Sequence, residues 1–254
     1  MIDSPAVAIG RARGVVAVGL AWVVVGSWAY LALLSTRMGS MASALSMPMT
    51  SAWSAAETVL MVTMWAVMMA AMMLPSAVPM VLAYDRMDRG SGDGRDGSAA
   101  LFVTGYLAVW ATFASAATGL QWVLHQLALI NGMGAATRSA LAGPLLIAAG
   151  VFQLSPVKKR SLGACRTPLG FLMASWQDGR QGALRMGLHH GTLCLGCCGT
   201  LMILLFVLGV MNLLWVAALA VFVLAEKVLR RGEAISVAGG FVMIVWGVGV
   251  VVGG

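Results

Sequence analysis

The chain has 254 residues, of which 60% are hydrophobic and only 10% are charged, with a formal net charge of +7. Ordinary soluble domains carry about 25% charged residues, so this composition argues against a water-soluble protein and predicts an all-α, polytopic membrane helix bundle. The basic excess does not indicate nucleic-acid binding, because the Lys and Arg residues fall almost entirely on one side of the predicted topology.

Seven apolar runs approach the roughly 20 residues that a membrane-crossing helix needs. Their approximate bounds are 14–34, 53–83, 99–123, 138–156, 191–209, 212–229 and 235–253. With a cytoplasmic N-terminus, only Arg37 and Arg138 of the 16 Lys and Arg residues face outward, which is a strong positive-inside bias. The first run is interpreted as an uncleaved helix. We therefore expect one integral domain, 1–254, in the bilayer of a bacterial inner membrane. The tight connection near Asn212 leaves open whether 191–229 is two spans or one bent element.

Methionine is concentrated in the first third of the chain. Residues 36–52 form a small, polar, methionine-rich loop on the predicted outer side, which contains Met47 and Met49. In the following span, methionines recur at helical spacing on two adjacent faces. They are Met61, Met64, Met68 and Met72 on one face, and Met69, Met73 and Met80 on the other. Thioethers are soft ligands for Cu(I), but methionine also packs well in apolar helices. Pro75 and Pro79 are expected to break the hydrogen-bond ladder of this helix near its inner end, and Pro75 is expected to free the carbonyl of Ala71.

The basic segment 157–190 is the longest cytoplasmic connection. It begins with Lys158-Lys159-Arg160 and contains Cys165. From Leu169 to Gln181, apolar and polar residues segregate with helical period, which predicts one amphipathic helix lying in the membrane interface. This helix would bring Cys165 close to the mouth of the next span.

His190, Cys194, Cys197 and Cys198 share one helical stripe at the predicted start of a span. Helix N-terminal N–H groups there would favour thiolates, and a reducing cytosol argues against a structural disulfide. Two or three thiolates with a nearby His or Met suit Cu(I). A closed zinc site needs four ligands, which Cys165 or His190 could complete. The alternative is that these cysteines are small buried hydrophobes.

The pair Glu226-Lys227 lies at the inner end of the sixth predicted span. A charged pair near a helix end can extend its side chains to the membrane surface, so we expect snorkelling or a structural ion pair.

Three stretches resemble the bacterial multi-pass proteins known as predicted metal-binding integral membrane proteins, a family of unknown function. The stretches run from Met64 to Ser76, from Lys158 to Phe171, and from Cys194 to Lys227. The resemblance implies metal binding and points to Met68, Met69, Met72, Met73, Cys165, Cys194, Cys197 and Cys198. In two places the chain departs from the family. Ser161 stands where a second cysteine is common, and Gly199 stands where an aromatic residue often follows the double cysteine.

The function expected from the sequence is binding of a soft metal, Cu(I) before Zn, for transfer across the membrane or delivery to a copper-protein partner. The predicted ligands are Cys194, Cys197, Cys198, Cys165, His190, Met61, Met64, Met68, Met69, Met72, Met73, Met47 and Met49. One alternative is an accessory or assembly subunit of a larger membrane complex, and another is a membrane thiol oxidoreductase. No P-loop, Rossmann fingerprint or Ser-His-Asp pattern predicts an enzyme. Glycine-rich faces are compatible with an oligomer.

Overall fold

The structure, a computed structural model, describes residues 5–36, 53–90, 97–130 and 139–253. Within these ranges the chain is helical and forms no β-strand, so the predicted all-α fold class is confirmed. In chain order the helices are α1 (Pro5–Thr36), α2 (Ala55–Gly90), α3 (Ser98–Gln126), α4 (Ser139–Leu154), α5 (Pro156–Arg166), α6 (Pro168–Ser175), α7 (Gly179–Ile203), α8 (Leu205–Leu208), α9 (Leu213–Val228) and α10 (Gly232–Gly253). Met47 and Met49 lie outside the described residues.

Several of these helices are consistent with a multi-pass membrane protein. Five stretches in the described ranges are long and apolar enough to cross a membrane: Gly14–Thr36, Ala55–Arg89, Ser98–Gln126, Gly179–Leu208 and Gly232–Gly253. A sixth appears if α4 and α5, which are bent by 62°, count as one broken span. The 16 residues of α9 extend about 24 Å, less than the roughly 30 Å hydrocarbon core. The described residues therefore fall short of the seven predicted crossings.

The region 191–229 is not one continuous helix, because α7 runs on into the short α8 and the chain then turns into a separate helix α9. The chain leaves α8 at Gly209, whose φ of 95° is in the left-handed region that glycine tolerates. It then begins α9 at Leu213. Because Lys227 at the end of α9 contacts Cys194 of α7, α9 returns antiparallel along α7.

The long helix α2 continues through both of its prolines, although its hydrogen-bond ladder is interrupted at Pro75 as expected. Pro75 lacks the N–H that would bond to the carbonyl oxygen of Ala71. The indole Nε1 of Trp28 on α1 donates to that oxygen at 3.2 Å instead. A neighbouring helix thus satisfies the carbonyl that the proline leaves free.

Two helix pairs approach closely because glycines remove the side chains between them. On α7, a Cβ added at Gly187 would collide with the carbonyl oxygen of Phe102 on α3. Between α4 and α10, a Cβ at Gly150 would lie 2.6 Å from the carbonyl oxygen of Gly240. These contacts match the use of small residues at membrane helix interfaces, and the first of them holds α7 in the centre of the bundle.

The predicted interfacial helix is shorter than expected and does not present one apolar face. Helix α6 starts at Pro168 and ends at Ser175. The next helix, α7, begins at Gly179, whose φ is 77°. Leu172 is fully buried, whereas Met173 is 77% exposed. The prediction of one helix over 169–181 is wrong because the helix ends at Ser175, and the last residues of the pattern belong to α7.

Candidate metal centre

Three cysteines of α7 bring their sulfur atoms together inside the bundle. Cys194, Cys197 and Cys198 are all buried, and their Sγ atoms lie within 4.8 Å of one another. The Sγ atom of Cys198 is 3.7 Å from that of Cys194 and 3.8 Å from that of Cys197. Spacings of three and four residues place side chains on one helical face, so the predicted stripe is confirmed. We call these residues the three-thiol cluster.

Two further sulfur atoms reach the three-thiol cluster from other helices. Cys165 at the end of α5 places its Sγ atom 3.9 Å from that of Cys197. Met73 in the middle of α2 places its Sδ atom 3.6 Å from the Sγ atom of Cys198. Helices α2, α5 and α7 therefore converge on one sulfur-rich point, although these residues are far apart in sequence.

A buried ammonium group lies against the three-thiol cluster. The Nζ atom of Lys227 donates to the Sγ atom of Cys194 at 2.9 Å and to the Oγ atom of Ser76 at 3.0 Å. The Oη atom of Tyr106 lies 3.1 Å from the same sulfur. A cation at this distance stabilises negative charge on sulfur. Of the two expectations for Glu226-Lys227, snorkelling is wrong because both side chains are buried, and the ion pair that forms joins Glu226 to Lys158.

A second buried charge lies behind the cluster and has a full set of partners. The Nζ atom of Lys158 bonds to Glu226 Oε2 at 2.7 Å and to the carbonyl oxygen of Cys197 at 2.5 Å. Gln153 donates to the other carboxylate oxygen of Glu226 at 2.7 Å. The pair of Lys158 and Glu226 therefore ties α5, α7 and α9 together. From the sequence, Lys158 was placed only in the basic cytoplasmic connection 157–190, and its pairing with Glu226 was missed.

The depth of the cluster differs from the sequence-based expectation. Helix α7 begins at Gly179, fifteen residues or about 22 Å before Cys194, so the helix N-terminus does not contribute to the thiolates. Lys227, however, is followed by exposed Arg230 and Arg231, where α9 ends. The three-thiol cluster therefore lies at the same depth as the basic turn that follows α9. The first turns of α7, from Gly179, extend beyond that depth.

The remaining predicted ligands in the described residues lie outside the three-thiol cluster. Met61 precedes Met73 by twelve residues, which is about 18 Å along α2. The α2 methionines in question are all buried, with 0–1% exposure: Met61, Met64, Met68, Met69 and Met72. His190 is also buried, but it packs against the rings of Phe102 and Tyr106 at centroid distances of 6.0 and 5.6 Å.

Comparison with known proteins identifies the family. The family model described as "Copper chaperone", PpoB2, matches residues 62–250. This chain belongs to the PpoB2 family of copper chaperones. The match includes the row of α2 methionines from Met64 onward, Cys165 and the three-thiol cluster. No curated protein and no solved structure matches the chain.

The spacing of the sulfur atoms in this copper chaperone family member fits a bound metal ion. A metal about 2.3 Å from three sulfur atoms, a distance typical of thiolate sites, would separate them by about 4.0 Å. The observed separations of 3.7 and 3.8 Å are close to that value. Thiolates and thioethers are the ligands that select Cu(I), and the described structure offers no carboxylate within this sulfur group.

Proposed function

We propose that this chain holds Cu(I) in the three-thiol cluster and passes it from a membrane-embedded site to an acceptor copper protein. The observation that carries the proposal is the convergence of three buried thiols of α7 within 4.8 Å, with the thioether of Met73 at 3.6 Å from Cys198. Membership of a copper chaperone family supports copper as the cargo.

Cu(I) fits this arrangement better than Zn. Structural zinc sites are almost always closed by four ligands. Here Cys165 lies 3.9 Å from Cys197 but outside the group of residues whose ligand atoms all lie within 4.8 Å of one another. Two or three thiolates with a nearby thioether match the low coordination number and softness of Cu(I). The ammonium of Lys227 offsets part of the negative charge that the thiolates accumulate.

The methionines of α2 would carry Cu(I) to the cluster. They form a buried row from Met61 to Met73, and the last of them contacts Cys198. Thioether sites are neutral and bind more weakly than thiolates, so an ion in this row is driven toward the cluster. In this proposal the loop 36–52, with Met47 and Met49, captures the ion outside a bacterial inner membrane.

Reconstitution into liposomes tests both parts of the proposal. Purified protein would be inserted into vesicles that contain a Cu(I)-responsive fluorescent chelator, and Cu(I) would be added outside. We expect the wild type to deliver Cu(I) to the chelator and change its fluorescence, and we expect no fluorescence change with Cys194→Ser/Cys197→Ser. Met243→Leu on α10 serves as a control substitution away from the cluster. Binding without flux would refute transmembrane transfer, and an absence of binding would refute the chaperone site.

A further inference from the structure

We propose that His190 and Met186 form a second, weaker Cu(I) site through which the ion leaves the three-thiol cluster. This inference rests on the proposed function, because the second site receives its ion from the cluster. It assigns a direction of exit, along α7 toward Gly179, and a ligand pair of one imidazole and one thioether.

The two residues continue the line of soft donors on α7. Met186, His190, Cys194 and Cys198 follow one another at intervals of four residues, and all four are buried. Side chains four residues apart on a helix are neighbours, with about 5–6 Å between their Cβ atoms. His190 and Met186 therefore lie about 6 and 12 Å beyond Cys194 along the helix axis.

His190 is buried with an unused ligand atom. Its side chain is 2% exposed, and its Nδ1 atom has no hydrogen-bond partner among the described residues. The rings of Phe102, Tyr106 and Phe171 surround it. Leaving a buried polar atom unpaired costs about 1–3 kcal/mol. A nitrogen that binds a metal in part of the working cycle explains why this cost is tolerated.

The methionines of α2 lie on the opposite side of the three-thiol cluster from His190 and Met186. Helices α2 and α3 are antiparallel, because Tyr84 stacks on Phe102 at 4.9 Å and Trp65 bonds to Gln121 at 2.7 Å. His190 also stacks on Phe102, so it lies toward the Tyr84 end of α2. Met61 to Met72 extend toward the Trp65 end. The two sets of donors therefore lead away from the cluster in opposite directions.

The exit consists of two ligand exchanges. In the first, a bond forms between Cu(I) and His190 Nδ1 while the bonds to Cys197 Sγ and Cys198 Sγ break, and the bond to Cys194 Sγ remains. In the second, Met186 Sδ replaces Cys194 Sγ, whose thiolate remains beside the Lys227 ammonium at 2.9 Å. Copper remains Cu(I) throughout, and neither an electron nor a proton is transferred.

Titration of the purified full chain with Ag(I), a redox-inert analogue of Cu(I), distinguishes the two sites. With ¹⁵N-labelled histidine, we expect the first equivalent to bind the thiols and leave the histidine resonances in place. The second should shift one Nδ1 resonance, and His190→Gln should abolish that shift. If the first equivalent of Ag(I) does not bind, both the exit site and the proposed function are refuted. If the first binds and the second shifts no histidine resonance, only the exit site is refuted.

Transfer kinetics supply a second test with a matched control. We expect Met186→Leu to slow the transfer of Cu(I) to an external chelator at least about tenfold, the loss typical for a group that supports a metal site. Affinity for the first ion should not change. Met202→Leu is the control, because Met202 is equally buried on α7 but lies beyond Cys198 on the other side. Equal transfer rates for the two variants would overturn the proposal.

Discussion

The ammonium nitrogen of Lys227 lies 2.9 Å from the Sγ atom of Cys194, within a group of buried side chains that contains four cysteines and Met73. Lys227 neighbours Glu226, yet the two side chains have different partners. Glu226 bonds to Lys158 and Gln153, so its charge is already matched. The positive charge of Lys227 is therefore available to the thiolates.

Replacing Lys227 should weaken metal binding more than it weakens the fold. We expect Lys227→Met to lower the affinity for Cu(I) by about 10–100-fold, as for other groups that support metal ligands. The reason is that the Cys194 thiolate loses the cation that stabilises it. Competition with a chromophoric Cu(I) chelator measures the change. Lys159→Met is the control, because Lys159 forms a half-exposed pair with Glu233 at 3.2 Å, and surface pairs contribute little. Similar effects of both substitutions would exclude a specific role for Lys227.

Met73 should act as a ligand and not as a packing residue. Because leucine has nearly the same volume, Met73→Leu should cost less than about 1.5 kcal/mol in stability. It removes the Sδ atom 3.6 Å from Cys198, so the loaded protein should release Cu(I) faster in a chelator chase. Unchanged release with unchanged stability would assign Met73 to packing alone.

Replacing only Lys158 of the buried pair with Glu226 should lower the stability of the protein strongly, whereas replacing both residues should lower it much less. We expect Lys158→Met alone to destabilise the protein by about 3–5 kcal/mol, because Glu226 is left as an unpaired buried charge. Adding Glu226→Gln should recover a large part of this loss, since the Gln153 amide retains an acceptor. Thermal unfolding in detergent provides the comparison. Additive losses in the double variant would contradict this account.

The close contact between α3 and α7 should tolerate no side chain at Gly187. A methyl group there would meet the carbonyl oxygen of Phe102, and the backbone shift should cost about 1–3 kcal/mol. Gly163→Ala on α5 is the matched control, because a Cβ there has open space. Since alanine suits helix interiors better by about 0.5–1 kcal/mol, the control should be neutral or stabilising in the same unfolding assay.

Sequence reasoning succeeded where a pattern is local. The stripe of Cys194, Cys197 and Cys198 and the row of α2 methionines follow from helical spacing alone. The structure has both features as expected. The long apolar runs likewise predicted the helical fold class, because bilayer thickness constrains helix length and composition.

Sequence reasoning failed where the outcome depends on tertiary contacts. Pro75 was expected to free the carbonyl of Ala71, but nothing in the sequence indicated that Trp28 of α1 would satisfy it. Lys227 was expected to snorkel or to pair with its neighbour Glu226, but it bonds to Ser76 and Cys194 inside the bundle. No local pattern reports which distant side chain will reach a given atom. The local signal for this site is an ionisable residue within an apolar run, which inside a membrane span marks a functional position.

The central claim is that the three-thiol cluster holds the copper, and metal analysis combined with X-ray absorption tests it most directly. Protein purified under reducing conditions and loaded with Cu(I) should retain copper bound by sulfur at about 2.3 Å. The variant Cys194→Ser/Cys197→Ser/Cys198→Ser should lose it on gel filtration, while Met202→Leu should retain it. Copper retained by the triple variant, or bound in the wild type by nitrogen and oxygen alone, would contradict the account.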